Sequence, residues 1–132
     1  MNDIQPTVLI ADSDPASAAD LTLMLKEKGY RVFPVSSARE ALQCTRKHRI
    51  DIAVLDTQLR DIKGHKIIPL MKDLDDRIQF VVTTGELSDL EKEARVQGIA
   101  YFGVKPLDLQ EITESIEIAM NVKLKKDARI II

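Results

Sequence analysis

Four side chains stand at or just past the ends of short apolar runs in this chain: Asp12, Asp56, Thr83 and Lys105. The runs are 8–11, 52–55, 78–82 and 100–104, each of a length and character that suits a β-strand. In an open α/β sheet, ligands bind outside the carboxyl ends of the parallel strands. Two carboxylates, a hydroxyl and an ammonium would therefore converge in one crevice. Carboxylate oxygens suit a hard divalent cation, and an ammonium suits phosphoryl oxygens. The chemistry that follows is a site for a divalent metal and a phosphoryl group.

The elements that would position these residues alternate strand and helix five times, without repeats, low complexity or an internal linker. Five βα units imply a parallel sheet covered on both faces. The first strand ends at Asp12-Ser13-Asp14-Pro15, where Asp14 can cap a helix and Pro15 suits its first turn. That helix is expected to reach about Lys28 and stop at Gly29, with Ala18, Leu21, Met24 and Leu25 as its stripe. Pro34 places the second strand, 31–35, at a sheet edge, because proline cannot donate to a central ladder. The second helix starts at the Ser36-Ser37 cap and runs to about His48. After Asp56 a loop leads to Gly64 and a helix through about Met71. A fourth helix covers about Leu87 to Gln97, closed by Gly98. The last helix is expected over about Asp108 to Val122, with Leu109, Ile112, Ile116 and Met120 as its core stripe and Ile118 and Val122 off it. The fold class is α/β: a flavodoxin-like (βα)5 three-layer sandwich with a parallel sheet in order 2-1-3-4-5.

Bulk properties agree with a single domain. The chain has 132 residues, 45% of them hydrophobic, with few glycines and prolines. A net charge of −2 argues against a general nucleic-acid surface. No apolar run approaches the ~20 residues of a membrane span. The N-terminal residues lack the charged start and apolar core of a signal peptide, and the single Cys44 fits a reducing compartment, so a cytoplasmic location is expected. Cys44, His48 and His65 read as packing or surface residues.

The layout over about residues 7–122 resembles the receiver domain of bacterial response regulators, with 1–6 as an N-terminal extension and 123–132 as a C-terminal tail. Val8-Leu9-Ile10-Ala11-Asp12-Ser13-Asp14-Pro15 is similar to that family's first strand and acidic cluster, and Val54-Leu55-Asp56 with Gly64 to its phosphoacceptor strand and loop. Thr83 follows Asp56 by 27 residues and Lys105 follows Thr83 by 22, both intervals of the family. Lys105-Pro106 is its closing signature, usually with a cis bond. The resemblance implies a phosphoacceptor in two-component signalling rather than an enzyme. Asp56 would accept the phosphoryl group, and Asp12, Asp56 and the Gln58 backbone carbonyl would hold Mg²⁺. Lys105 would pair with Asp56 and the phosphoryl oxygens, and Thr83 and Phe102 would switch. The implied partners are a histidine kinase or phosphotransfer protein, and a downstream protein or second copy on the face of helix four, strand five and helix five. Tyr101, Phe102, Ile118 and Val122 mark that face.

Two departures from the pattern stand out. Ser13 occupies a position where the family usually has a second acid, and a hydroxyl is a weak neutral ligand for a hard cation. Arg60 stands where a proline usually stiffens the loop after Asp56, and Lys63 is a further basic residue there. Weak Mg²⁺ binding and a looser loop are expected. These departures keep open a phosphorylation-independent interaction module with the same fold. A third reading, a phosphatase of the haloacid dehalogenase type, takes Asp12-Ser13-Asp14 as its signature with Thr84-Gly85 and Lys105 following, but leaves Asp56 unexplained. The basic tail 123–126 is expected to favour a helix C-terminus electrostatically.

Overall fold

The computed structural model describes residues 5–86 and 90–131. Five strands, β1 (Thr7–Ala11), β2 (Arg31–Val35), β3 (Ile52–Asp56), β4 (Gln79–Thr84) and β5 (Tyr101–Val104), form one sheet. All neighbours are parallel and the order is β2-β1-β3-β4-β5, as the alternation and Pro34 predicted. The helices between them are α1 (Pro15–Glu27), α2 (Ala38–Lys47), α3 (Ile68–Leu74), α4 (Leu90–Arg95) and α5 (Leu109–Ile131). A 3₁₀ turn, Gly64–Ile67, leads into α3. The predicted start of the fourth helix at Leu87 lies outside the described residues.

The period-two alternation of buried strands divides the core into two layers. Leu9, Ala53, Leu55, Phe80 and Val82 face α2, α3 and α4, where they meet Ala41, Ile68, Met71 and Ala94. Val8, Ile10, Val54 and Val81 face the other way, onto Leu21 and Leu25 of α1 and Ile112, Ile116 and Met120 of α5. β1 and β3 are buried along their whole length. The apolar stripes thus hold the sheet on both faces and leave its carboxyl end to the polar residues.

Two expectations need correction. The last helix does not end near Val122 but continues to Ile131. Lys123, read from the sequence as part of a basic tail beyond the last helix, is only 3% exposed. Its Nζ donates to Asp51 Oδ1 at 2.7 Å and to Asp127 Oδ2 at 2.6 Å. Arg49 joins Asp51 at 2.7 Å, and the Thr7 amide donates to the same carboxylate. A buried carboxylate requires such partners, and these tie the end of α5 to the amino-terminal edge of the sheet. The loop after Asp56 is also tied rather than loose. Asp61 accepts from the Ala38 and Arg39 amides at 3.0 Å each, satisfying two of the free N–H groups that open α2.

Candidate functional site

Adjacent strand ends bring the four sequence-selected residues together. Asp12 follows β1, Asp56 ends β3, and Thr83 is the register partner of Asp56 on β4. Lys105 follows β5, and its bond to Pro106 is cis. Lys105 Nζ lies 2.8 Å from Asp12 Oδ2 and 2.5 Å from Asp56 Oδ2. The other oxygens are held too: Asp12 Oδ1 accepts from the Asp14 amide and Asp56 Oδ1 from the Gln58 amide, both at 2.8 Å. Asp14 caps α1 through the Ala16 amide, as expected, so its carboxylate faces the helix start.

Burial governs the electrostatics. Asp12 and Asp56 are 7% and 2% exposed. Burial pushes the Asp56 carboxyl above its usual range, and the Asp12 charge adds to the rise, outweighing the opposing pull of Lys105 and the Gln58 amide. Burial alone would lower the Lys105 ammonium, but the two carboxylates it bridges outweigh that and raise it. One ammonium shared by two carboxylates leaves the cluster with one net negative charge.

Close packing fixes the loop beneath. A Cβ at Gly64 would overlap the backbone carbonyl oxygen of Asp56, so only glycine allows this approach. Three features of the site gave no signal in the sequence. The Gln58 side chain spans two loops, accepting from the Gly85 amide at 3.0 Å and donating to Glu86 at 3.1 Å. Thr57 Oγ1 donates to Thr84 Oγ1 at 2.8 Å. Ser13 Oγ donates to the Gln58 carbonyl at 3.0 Å, the oxygen expected to face a metal.

The donor set fits one hard cation, sparsely. Among the described residues no group of three or more His, Cys, Asp or Glu side chains is gathered for a metal. The set is two carboxylates and the Gln58 carbonyl, with Ser13 as a neutral neighbour. Mg²⁺ is commonly held by one or two carboxylates with water filling its shell, so the residues present suit it, at lower charge than three acids would give.

Among the described residues, the remaining candidates make no hydrogen bond or ion pair with the Lys105 cluster. Phe102 is half-buried against the α2–α3–α4 core layer. Its neighbour Tyr101 donates to Glu111 at 2.6 Å, and burial with that carboxylate pushes the phenol up to about 12. His48 stacks on Phe33 with ring centroids 4.4 Å apart, and His65 is 2% exposed with Nε2 3.1 Å from Glu93. Both belong to packing, and Cys44 packs against the same core layer as Phe102.

Against this geometry, residues 8–117 match the family model of the response regulator receiver domain. The chain belongs to that family. Its sequence is 27% identical over 112 residues to sporulation initiation phosphotransferase F of Bacillus subtilis, covering 83% of this chain and 90% of that protein. It is 26% identical over 128 residues to the heme response regulator HssR of Staphylococcus saprophyticus, covering 94% of this chain but 57% of the relative. A CheY-like receiver domain from Methanospirillum hungatei superposes with a TM-score of 0.85 at 22% identity, covering 92% of this chain and 98% of that one. A Burkholderia pseudomallei response regulator, solved with a phosphorylated aspartic acid and a calcium ion, gives 0.77 at 22% identity, covering 95% and 75%. These two likenesses show the fold. Receiver domains are signalling domains of two-component systems and generally bind Mg²⁺. The family match leaves no place for the dehalogenase reading. Among the described residues no helix of this receiver domain is long and apolar enough to cross a membrane.

Proposed function

We propose that this receiver domain accepts a phosphoryl group on Asp56 from a histidine kinase or phosphotransfer protein and thereby switches a partner surface. The observation that carries this reading is the bridge from Lys105 to both Asp12 and Asp56 at the carboxyl end of the sheet. A carboxylate oxygen of Asp56 would attack phosphorus, and the P–N bond to the donor imidazole would break as the new P–O bond forms. Burial makes this carboxylate more basic than a solvated one, and Lys105 favours its ionised form. Asp12, Asp56 and the Gln58 carbonyl are the residues that would hold Mg²⁺, which when bound would neutralise developing charge and help orient the reactants. Lys105 would then pair with phosphoryl oxygens, and Thr83, beside Asp56 in register, would donate its hydroxyl to them. Phe102, next along β5 to the register partner of Thr83, would report the change outward.

The output surface in this reading is α4–β5–α5, where Val96, Val104, Ile118 and Val122 are exposed. It would take a downstream protein or a second copy. The receiver unit proposed is 7–122, continuous with the helical residues that follow, and its chemistry is phosphoryl acceptance and loss on itself rather than turnover of a substrate. A cytoplasmic location suits a kinase partner.

One observation favours the phosphorylation-independent module: Ser13 donates to the Gln58 carbonyl, so the hydroxyl competes with a cation for that oxygen. Incubation with acetyl phosphate and Mg²⁺, followed by intact-mass measurement, separates the two. The expected result is a gain of one phosphoryl group that disappears in Asp56→Asn. No gain in the wild-type chain would favour the module.

A further inference from the structure

Two grooves open on the surface of the domain. One, of about 540 Å³ between α1 and β2, has Asp12 in its wall and so runs into the site already described. The other, of about 410 Å³, lies between α2 and the turn into α3 and is used by nothing described above. Its floor is apolar: Ala38 and Ile67 are buried, and Leu42 packs half-buried on the core. Its wall is apolar and exposed, with Ile62 39% and Leu70 47% accessible, and Leu74 continues the patch at 43%. A contiguous exposed apolar patch with a polar rim marks an interaction surface.

The rim is basic. Arg39, Gln43 and Arg46 follow one another at helical spacing along an exposed ridge of α2 and line the groove. Neither Arg39 nor Arg46 makes a side-chain ion pair among the described residues. The one acid in the lining, Asp61, has its carboxylate turned to the α2 amides. Exposed Lys66 precedes Leu70 by four residues on the opposite side.

We propose that the α2–α3 groove docks an amphipathic helical segment of a partner protein, apolar on one face and acidic along its flanks. Two helices flanking an apolar trough suit a third helix presenting anchors at i, i+3, i+4 and i+7. The two guanidiniums select acidic flanks. A second copy meeting groove to groove would set Arg39 and Arg46 against their own counterparts, so like charge opposes it. Two arginines over an apolar floor are too few cations for a nucleic-acid backbone.

The test uses the full chain, ¹⁵N-labelled, and a synthetic helical peptide with leucines at i, i+3, i+4 and i+7 and glutamates on the flanks. A matched peptide carries lysines in place of the glutamates. The expected outcome is that the glutamate peptide perturbs amides of α2 and α3, binding it at least about tenfold more tightly than the lysine peptide. Arg39→Gln/Arg46→Gln should lose about tenfold, and both residues are exposed, so the variant should keep its circular dichroism. Leu70→Ala should weaken both peptides alike. Equal binding of the two peptides, perturbation mapping to α4–β5–α5, or an unchanged affinity in the double variant would overturn the proposal. Concentration-dependent perturbation of the same amides without peptide would assign the groove to a second copy instead, and would overturn it equally.

Discussion

Ser13 acts on the cation site in two ways. It brings no charge, and its hydroxyl donates to the Gln58 carbonyl and competes for that oxygen. Two unit charges about 4 Å apart interact by roughly 4 kcal/mol at an effective dielectric near 20. Desolvation of a carboxylate cancels much of that, leaving a net ~1–2 kcal/mol, or roughly tenfold in affinity. Ser13→Asp is therefore expected to tighten Mg²⁺ binding about tenfold and to speed phosphorylation of Asp56. Calorimetric titration of Mg²⁺ into wild type, Ser13→Asp and Ser13→Ala would apportion the two effects. The alanine frees the carbonyl without adding charge, so a match between the two variants would assign the effect to the carbonyl alone. At this scale the four central residues were legible because each sits at a strand end, where type and spacing coincide. The Ser13 bond was not, because it joins a side chain to a backbone oxygen 45 residues away.

At the scale of elements, the β3–α3 loop shows how one stiffening device can stand in for another. Arg60 predicted a looser loop, and Asp61 beside it clamps the loop to the first turn of α2. A carboxylate at a helix start satisfies free donors and complements the dipole, together worth about 1 kcal/mol. Asp61→Ala should lower stability by about that amount, seen as a drop in denaturation midpoint with an unchanged m-value. It should also speed hydrogen exchange in residues 59–63. Exchange confined to α2 would show that the clamp serves the helix and not the loop. The strand order was readable from Pro34 and from which runs are continuously apolar. The clamp was not, because nothing local to Asp61 points to its partner 23 residues back.

Over the whole molecule, two opposed polar clusters bracket the sheet: the Lys105 cluster at the carboxyl end and the Asp51–Lys123 cluster at the other. Burial opposes ionisation of Asp51, but hydrogen bonds from Lys123, the Thr7 amide and Arg49 outweigh it and hold the carboxyl below its ordinary value of 3.8. A depressed carboxyl stabilises the fold above its unfolded pKa, and that stability is lost as pH falls through the lower folded value. Lys123→Met should cost about 3 kcal/mol at neutral pH, because it removes the buried cation from a buried carboxylate and leaves only half-exposed Arg49 and the Thr7 amide to hold it. It should also shrink the stability lost on acidification. Asp51→Asn/Lys123→Met should cost less than the sum of the single changes. Urea unfolding of the four proteins at neutral and acid pH checks all of this. The sequence hid this cluster because a run of lysines after an amphipathic helix has the pattern of cations complementing a helix C-terminus. Only the fold brings Asp51 within reach of it.

Pro34, which marked β2 as an edge, also bears on how copies of the chain behave in concentrated solution. An open sheet edge offers unpaired backbone groups to any strand that drifts past, and so templates aggregation. Proline removes one donor from that row. Pro34→Val would complete the row with a residue of higher strand propensity while leaving the pairing of Ile10 with residue 34 in place. The expected outcome is equal or greater thermal stability together with faster growth of scattered light on storage at high concentration. Folded stability and colloidal stability would then have moved in opposite directions through a single backbone nitrogen.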